Sequence, residues 1–531
     1  MPNLIVSNLR SKTGIQLDGT QYDSDSYVDG QHCRFYNGMP RKMGGYKALN
    51  YGQPEVVRNM FSVPVQSAID VYLGRPSSIG YINVTFEGEA SNRIDRTPTA
   101  AFTPNPNNQW SFDIFIDSTT DPSTSYIVAQ VAPNVLDITS TTEGPIFYGD
   151  ILNDLPLAQV VDANNGDEPI ICSGGIVYAD PILVAYGNNG EIRWCERNNI
   201  KKWSTTTTTP PDPPVTEPNL LSIANTKIIK GYRNRGAGNG SILFWTATSL
   251  VSATYSLTAG EATFSSQTLA DDITVLSPNC IIQYNQQFFW IGIDQFYVFN
   301  GITQRMPNDM NSDWFFDNLN YKYRSKIFAV VVPRFGEIHW HFPRRLPGVE
   351  EADQPTECTD VIILNIVEKK WYNTVLGRTA GIPSTTFPHP ILADSEPFND
   401  GGVMKYPIWQ HEKGLNKEIG QYTYPIESYF QSAYVDLFTN QGDNNRMMRV
   451  RRLEPDFVIA GDMQVEVLTR VFPHSPDVVT GPFTFNDETV KIDEINCQGR
   501  LVSCRFTSNT LGGYYQGGHI LLDYNEGDLI P

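Results

Sequence analysis

A strand-turn-strand pattern that returns at a regular interval constrains this sequence more than any other feature. Cys280–Tyr284, Gln287–Ile293 and Gln295–Phe299 are runs of β-branched and aromatic residues separated by Asn285-Gln286 and by Asp294. Ile327–Pro333 then leads to Arg334-Phe335-Gly336, Glu337–Pro343 follows at once, and Asp360–Asn365 and Lys370–Asn373 flank Glu368-Lys369. Each unit is an apolar strand, a tight polar turn and an aromatic strand. The turns near Asp294, Gly336 and Glu368 recur roughly every 30–45 residues, the spacing of four-stranded propeller blades. Long Ala/Glu/Lys/Leu-rich windows of helical period are absent, and aromatic residues make up 12% of the chain. The fold class is therefore read as all-β, a β-propeller, with Cys280–Tyr372 as two of its blades.

The same pattern extends in both directions. His32–Tyr36 followed by Asn37-Gly38 reads as half of a hairpin, and residues 1–76 are taken as an N-terminal propeller segment that closes the ring. Residues 77–170 alternate apolar and polar positions in Ile79–Phe86, Trp110–Asp117, Ser125–Val131 and Asn134–Thr139, with Pro98, Pro104, Pro106 and Asn107-Asn108 between them. This stretch is expected to be a small antiparallel β domain inserted on one rim. Blades resume over 171–382, interrupted by the Thr205–Thr209 and Pro210–Pro214 run, which reads as an extended exposed loop. Asn311–Leu319 is the best short helix, with Asn311 or Ser312 as N-cap. Residues 383–427 read as a loop-rich connection. Residues 428–531 read as a C-terminal β region, either closing blades or a sandwich.

A chain of 531 residues has room for about three to four domains, most of which one repeat architecture can absorb. The formal charge is −19, which opposes tight binding of duplex DNA over the general surface. The same charge suits either solubility or a passage through which DNA slides without sticking. Seven scattered cysteines without a C-x-x-C pair read as reduced, buried thiols and an intracellular site of synthesis. The first ten residues do not read as a signal peptide, and no run of about 18 apolar residues predicts a membrane span.

Motifs that carry chemistry are sparse. His339 and His341 share one strand face, but no third metal ligand is near in sequence, so both read as structural. Cys497 and Cys504 read as buried thiols. Asp162–Glu168 departs from a calcium loop, since Gly166 takes its fifth position and Ser173 its twelfth. Gly236–Gly240 precedes a strand rather than a helix and does not read as a phosphate cradle. The many carboxylates neither define nor exclude a glycosidase pair. Arg446, Arg449, Arg451 and Arg452 form the one basic cluster. Beside Glu454 and Asp456 they read as an ion-pair network or subunit contact in preference to a DNA contact. No catalytic residue, cofactor or metal ligand is assigned.

Several stretches resemble one family. They are Phe35–Tyr46, Leu183–Ile192, Trp290–Gly301, Asn311–Asn320, Val332–Pro343, Thr356–Asp360 and Glu454–Phe457. In order, over most of the chain, they are similar to the tail nozzle proteins of short-tailed bacteriophages, also called packaged-DNA stabilisation or tail tubular proteins. The resemblance implies a non-enzymatic structural virion protein, a propeller that forms a homo-hexameric ring at the distal tail. The ring would sit on adaptor proteins beneath the portal, retain packaged double-stranded DNA and open to let it pass. Assembly in the host cytoplasm and residence at the virion tail tip follow from the same resemblance. The inserted domain and the Thr/Pro loop would meet tail fibres, spikes or neighbouring subunits. Independently of the resemblance, Arg446, Arg449 and Arg451 are the candidate DNA-channel or subunit contacts. The alternative is a carbohydrate-binding or carbohydrate-cleaving receptor-recognition propeller of the tail.

Overall fold

The computed structural model describes residues 5–530 apart from 9–10, 22–23, 66–67, 86–87, 92, 101, 134–135, 138–141, 205–217, 235–240, 257–263, 383–386 and 437–445. The Thr/Pro loop and the Gly236–Gly240 run, together with most of the expected strand 134–139, lie outside the described residues.

Seven four-stranded antiparallel units surround one axis. Blade 1 is Asn59–Val65, Ala68–Gly74, Ile79–Val84 and Ile94–Asp95. Blade 2 is Gln109–Asp117, Thr124–Ala132, Gly144–Asp150 and Ala158–Gln159. Blade 3 is Gly175–Ala179, Ile182–Tyr186, Glu191–Trp194 and Leu220–Ser222. Blade 4 is Ile228–Arg233, Ser241–Thr246, Ser249–Tyr255 and Phe264–Asp271. Blade 5 is Ile282–Tyr284, Gln287–Ile291, Phe296–Phe299 and Thr303–Arg305. Blade 6 is Phe328–Val332, Glu337–Phe342, Asp360–Asn365 and Lys370–Val375. Blade 7 takes Arg378–Ile382, Ile391–Asp394 and Val403–His411 from late in the chain and Tyr46–Gln53 from early in it. The first strands sit side by side around the axis, and that of blade 7 meets that of blade 1. The protein is an all-β propeller.

Tight turns let each blade fold locally. Asn285 and Gln286 both take positive φ between Ile282–Tyr284 and Gln287–Ile291, the left-handed backbone that a two-residue hairpin needs. Between blades, large aromatics fill the wedge. Trp245, Trp290 and Trp340 occupy the second strands of blades 4, 5 and 6 and are wholly buried. The rings of Trp245 and Trp290 meet edge-on at 5.7 Å. Trp290 and Trp340 donate their indole N–H to the carbonyls of Thr274 and Cys280. Each such side chain contributes on the order of 3 kcal/mol by burial.

Residues 77–170, expected as an inserted domain, instead supply the last two strands of blade 1 and all of blade 2. Alternation marks any strand with one face buried, and a blade strand qualifies as well as an independent sheet does. Of residues 1–76, Tyr46–Gln53 closes the ring, and Asn59–Val65 and Ala68–Gly74 open blade 1. The stretch 383–427 holds two strands of blade 7 and its outer extension Lys417–Ile419 and Tyr422–Tyr424.

Residues 428–531 form no blade. They pair with the N-terminal strands in a separate β unit. Ile5–Asn8, Ile520–Leu529, Arg446–Pro455 and Cys497–Gly499 make one sheet. Asp29–Gln31, Ser428–Gln431, Leu501–Ser508, Met463–Arg470 and Val478–Phe485 make another. A third combines Val458–Ala460, Tyr514–Gln516, Met39–Lys42 and Cys33–Tyr36. Phe430, Val450, Val465, Phe506 and Leu522 are buried between them, and the same core takes in Val361, Ile363 and Tyr372 of blade 6. The helix Ser312–Asn318 starts after Asn311, whose side chain makes no capping bond. Its first N–H groups, those of Asp313 and Trp314, donate to the carboxylate of Asp18.

Candidate functional site in the central channel

Two cavities of about 400 and 580 Å³ lie on the propeller axis. They share Phe61, Phe112, Lys230, Tyr232 and Gln283, and between them they touch the first strand of every blade. The wall mixes polar groups with flat apolar faces. Phe61 of blade 1 and Phe112 of blade 2 stack at 6.1 Å, with their planes 19° apart. Phe112 stacks in turn on the buried Trp110 at 6.0 Å.

Polar groups on this wall also tie neighbouring blades together. The Ser111 hydroxyl donates to the Ile176 carbonyl and accepts from the Ile176 N–H. The Asp113 carboxylate accepts from the N–H groups of Tyr178, at 2.7 Å, and Ile114, at 2.8 Å. Burial pushes its carboxyl up to about 6, against the pull of those donors and of Lys230 and Arg233. Lys230 lies in Ile228–Arg233, a strand that bulges between Ile228 and Lys230. Its ammonium sits 5.3 Å from the Tyr232 ring centroid. Burial brings it down to about 8, against the attraction of Asp113. At one end of the channel the buried Arg58 forks onto Glu357, which also accepts from Lys326 at 2.8 Å. Burial raises the Glu357 carboxyl, but the bonds from Arg58 and the charge of Lys326 hold it below its ordinary value. Chemically, the channel offers flat apolar faces, three cations of which Arg58 is paired with Glu357, and the Asp113 carboxylate, each oxygen of which accepts one backbone N–H.

A second polar cluster lies where the terminal unit meets blades 6 and 7. Arg34 and Glu337, both fully buried, approach to 3.1 Å, and Arg34 also forks onto Glu412. The Arg34 guanidinium lies 3.7 Å over the Phe335 ring. His339 and Tyr372 complete the shell of Glu337 at 2.8 and 2.6 Å. Burial raises the Glu337 carboxyl, but Arg34 first and then His339 and Tyr372 hold it down at about 2. His341 turns to the Leu376 carbonyl and stacks flat on Phe328 at 4.6 Å. The two histidines thus share a strand face but serve different partners.

Arg446, Arg449 and Arg451 are not brought to the channel. They lie on Arg446–Pro455 in the terminal unit. Arg446 pairs with Glu526 at 3.5 Å, Arg449 meets Gln498 and Asp528, and Arg451 donates to Asn496. Arg452 joins Glu454 and the buried Asp523. Cys497 and Cys504 are both buried thiols. Asp162 is buried too, and accepts from the N–H groups of Asn164 and Trp203 to anchor its turn. Among the described residues, no group of three His, Cys, Asp or Glu side chains is arranged to hold a metal. The channel residues Phe61, Phe112, Asp113 and Lys230 were not singled out from sequence. Four ordinary strand residues on three separate blades carry no shared spacing.

No family model matches this chain, and no curated protein does either. Solved structures do. An exo-β-1,3-galactanase from Phanerochaete chrysosporium, determined with galactose, is 10% identical over 91% of this chain and 100% of its own, with a TM-score of 0.28. An ancestral GH74 enzyme is 10% identical over 74% of this chain, with a TM-score of 0.37, and this chain spans 52% of its length. The WD40 domain of Toxoplasma gondii coronin is 10% identical over 72% of this chain and 81% of its own, with a TM-score of 0.31. The expectation that the chain is not an enzyme is corrected here, because two of these three similar structures are described as enzymes. Likeness this loose transfers no residue role to this chain.

Proposed function

We propose that this chain is a structural subunit of a short phage tail, a nozzle protein that assembles as a ring around the path of the DNA and retains the packaged genome until infection. The family resemblance along most of the chain is the starting point. The observation that carries the reading is the surface of the terminal unit. Val478–Phe485 is an eight-residue edge strand without a charged residue. Val478 on it is 62% exposed, and Val458, Leu511 and Leu529 elsewhere in the unit are each above 60%. Gly481-Pro482 interrupts the edge, but its first half leaves Val478 and Val479 exposed and uncharged, with unpaired backbone groups that another strand can meet. Assembly covers it. The −19 charge supports the same reading, since a passage for DNA must not hold it.

Electron microscopy of the purified chain with its tail adaptor, or of particles carrying it, tests this. A six-fold ring on the tail axis is the expected result, and Val478→Asp with Val479→Asp is expected to abolish it while leaving the fold intact. A subunit lying off the axis, or a ring indifferent to both substitutions, overturns the reading. The second reading, a receptor-recognition propeller that engages carbohydrate, is favoured by one observation, the stacked aromatic wall of the central channel.

A further inference from the structure

Lys230 and Arg233 are two cations on the wall of the central channel that face one carboxylate, Asp113, without forming an ion pair with it. Among the described residues, neither side chain takes part in a hydrogen bond or an ion pair, although the chain as a whole carries 58 acidic residues against 39 basic ones. Asp113 is the carboxylate that acts on both, but its two oxygens are held by the N–H groups of Tyr178 and Ile114. Lys230 is half-buried between the two connected cavities, with the Tyr232 ring on one side. Keeping an ammonium half-buried without a direct counter-ion costs free energy. A fold this acidic has carboxylates in plenty with which to neutralise it.

We propose that the central channel binds a small organic carboxylate with a flat apolar face, its anionic group on Lys230 and Arg233 and its face against Phe61 and Phe112. The chemistry of the wall selects this class. Two cations take a carboxylate by charge-assisted hydrogen bonds, Arg233 through its planar fork. The stacked phenyl rings take a planar ring or the CH face of a pyranose. A volume of about 580 Å³ lies within the range of small-molecule sites and cannot admit a duplex. The inference stands whether or not the chain assembles into a ring, and it fails separately from that reading.

The test is calorimetric titration of the full chain with glucuronate and with phenylacetate, each beside its uncharged counterpart, glucose and 2-phenylethanol. Inorganic phosphate is titrated in parallel. Binding of either acid, weakened about tenfold or more by Lys230→Gln and by Arg233→Gln, is the expected result. Preference for glucuronate identifies a sugar acid, and preference for phenylacetate an aromatic acid. Phe112→Ala is expected to weaken the same acid. Lys230→Gln is expected to leave the melting temperature of the free protein unchanged or higher, because it removes a half-buried charge without a direct counter-ion. If that variant fails to fold, Lys230→Arg is expected to retain binding. Affinity should fall as pH rises through about 8, where Lys230 loses its proton. Equal binding of the uncharged counterparts overturns the inference. So does phosphate binding as tightly as the acids, indifference to Lys230→Gln, or no binding of either acid at about 10 mM.

Discussion

At the scale of single residues, the junction between the terminal unit and the propeller makes the clearest demands. Burial, aided by Arg378 and Lys42, lowers His32 to about 4. His341 and His411 are also held well below their ordinary value, first by burial and then by neighbouring charges that include Arg378. Arg378 donates through Nε to the ring Nε2 of His411 at 3.0 Å, which requires that nitrogen to be unprotonated. The unfolded chain takes up these protons near pH 6.5 and the folded chain only below that. Stability is therefore complete above the ordinary histidine range and is lost as pH falls from about 6.5 toward about 4. His32 alone accounts for about 3 kcal/mol of that loss. Thermal melts between pH 7.5 and 4 should show the decline, and His411→Gln should flatten it. Glu337 acts in the opposite direction, since its lowered carboxyl adds stability above its ordinary range that disappears only toward pH 2. Glu337→Gln leaves Arg34 and His339 without their shared anion and is expected to cost about 3–5 kcal/mol in urea unfolding. A cost under about 1 kcal/mol would mean that Glu412 alone neutralises Arg34.

At the scale of elements, what could be read from the sequence divides along locality. The hairpins of blades 5 and 6 were legible because strand, turn and strand are contiguous, and Asn285-Gln286 advertises a positive-φ turn. Blades 1 and 2 do not read as blades in the sequence, because proline-rich connections around Pro98, Pro104 and Pro106 stretch the interval between turns. The helix at Ser312 was legible in place but not in mechanism. Its cap comes from Asp18, some 295 residues away, and a cap at that distance leaves no local signature. Asp18→Ala should therefore destabilise the protein by about 1 kcal/mol, and Ser312→Ala should not, a contrast that denaturation midpoints of the two variants will show. The channel was hidden for the same reason. Lys230 and Asp113 face each other only because blades 2 and 4 are bent around one axis.

At the scale of the whole molecule, the early strands have two separate tasks. Tyr46–Gln53 completes blade 7, and the strands before it complete the sheets of the terminal unit. A chain that starts at residue 54 leaves Val403–His411 as an open edge and removes one side of the unit's core. Such a chain should be insoluble when expressed alone and soluble when residues 1–53 are supplied as a second polypeptide, measured by the soluble fraction and by one cooperative melt. A residue 54–531 chain that melts like the parent would show that ring closure contributes nothing to the fold.

Pairing of the earliest strands with the latest also sets a schedule. Asp29 meets Arg505 across 476 residues and Ser11 meets Ala433 across 422. During synthesis at roughly 5–20 residues per second, the first segment therefore waits on the order of half a minute or longer for its partners. Blades 2 to 6 close behind it in the meantime, each from contiguous chain. The last strands made are the ones that release the first from waiting. A ribosome that stops early thus leaves a nascent chain whose beginning has no place to go, and the exposed ends of that chain give quality-control proteases a ready handle.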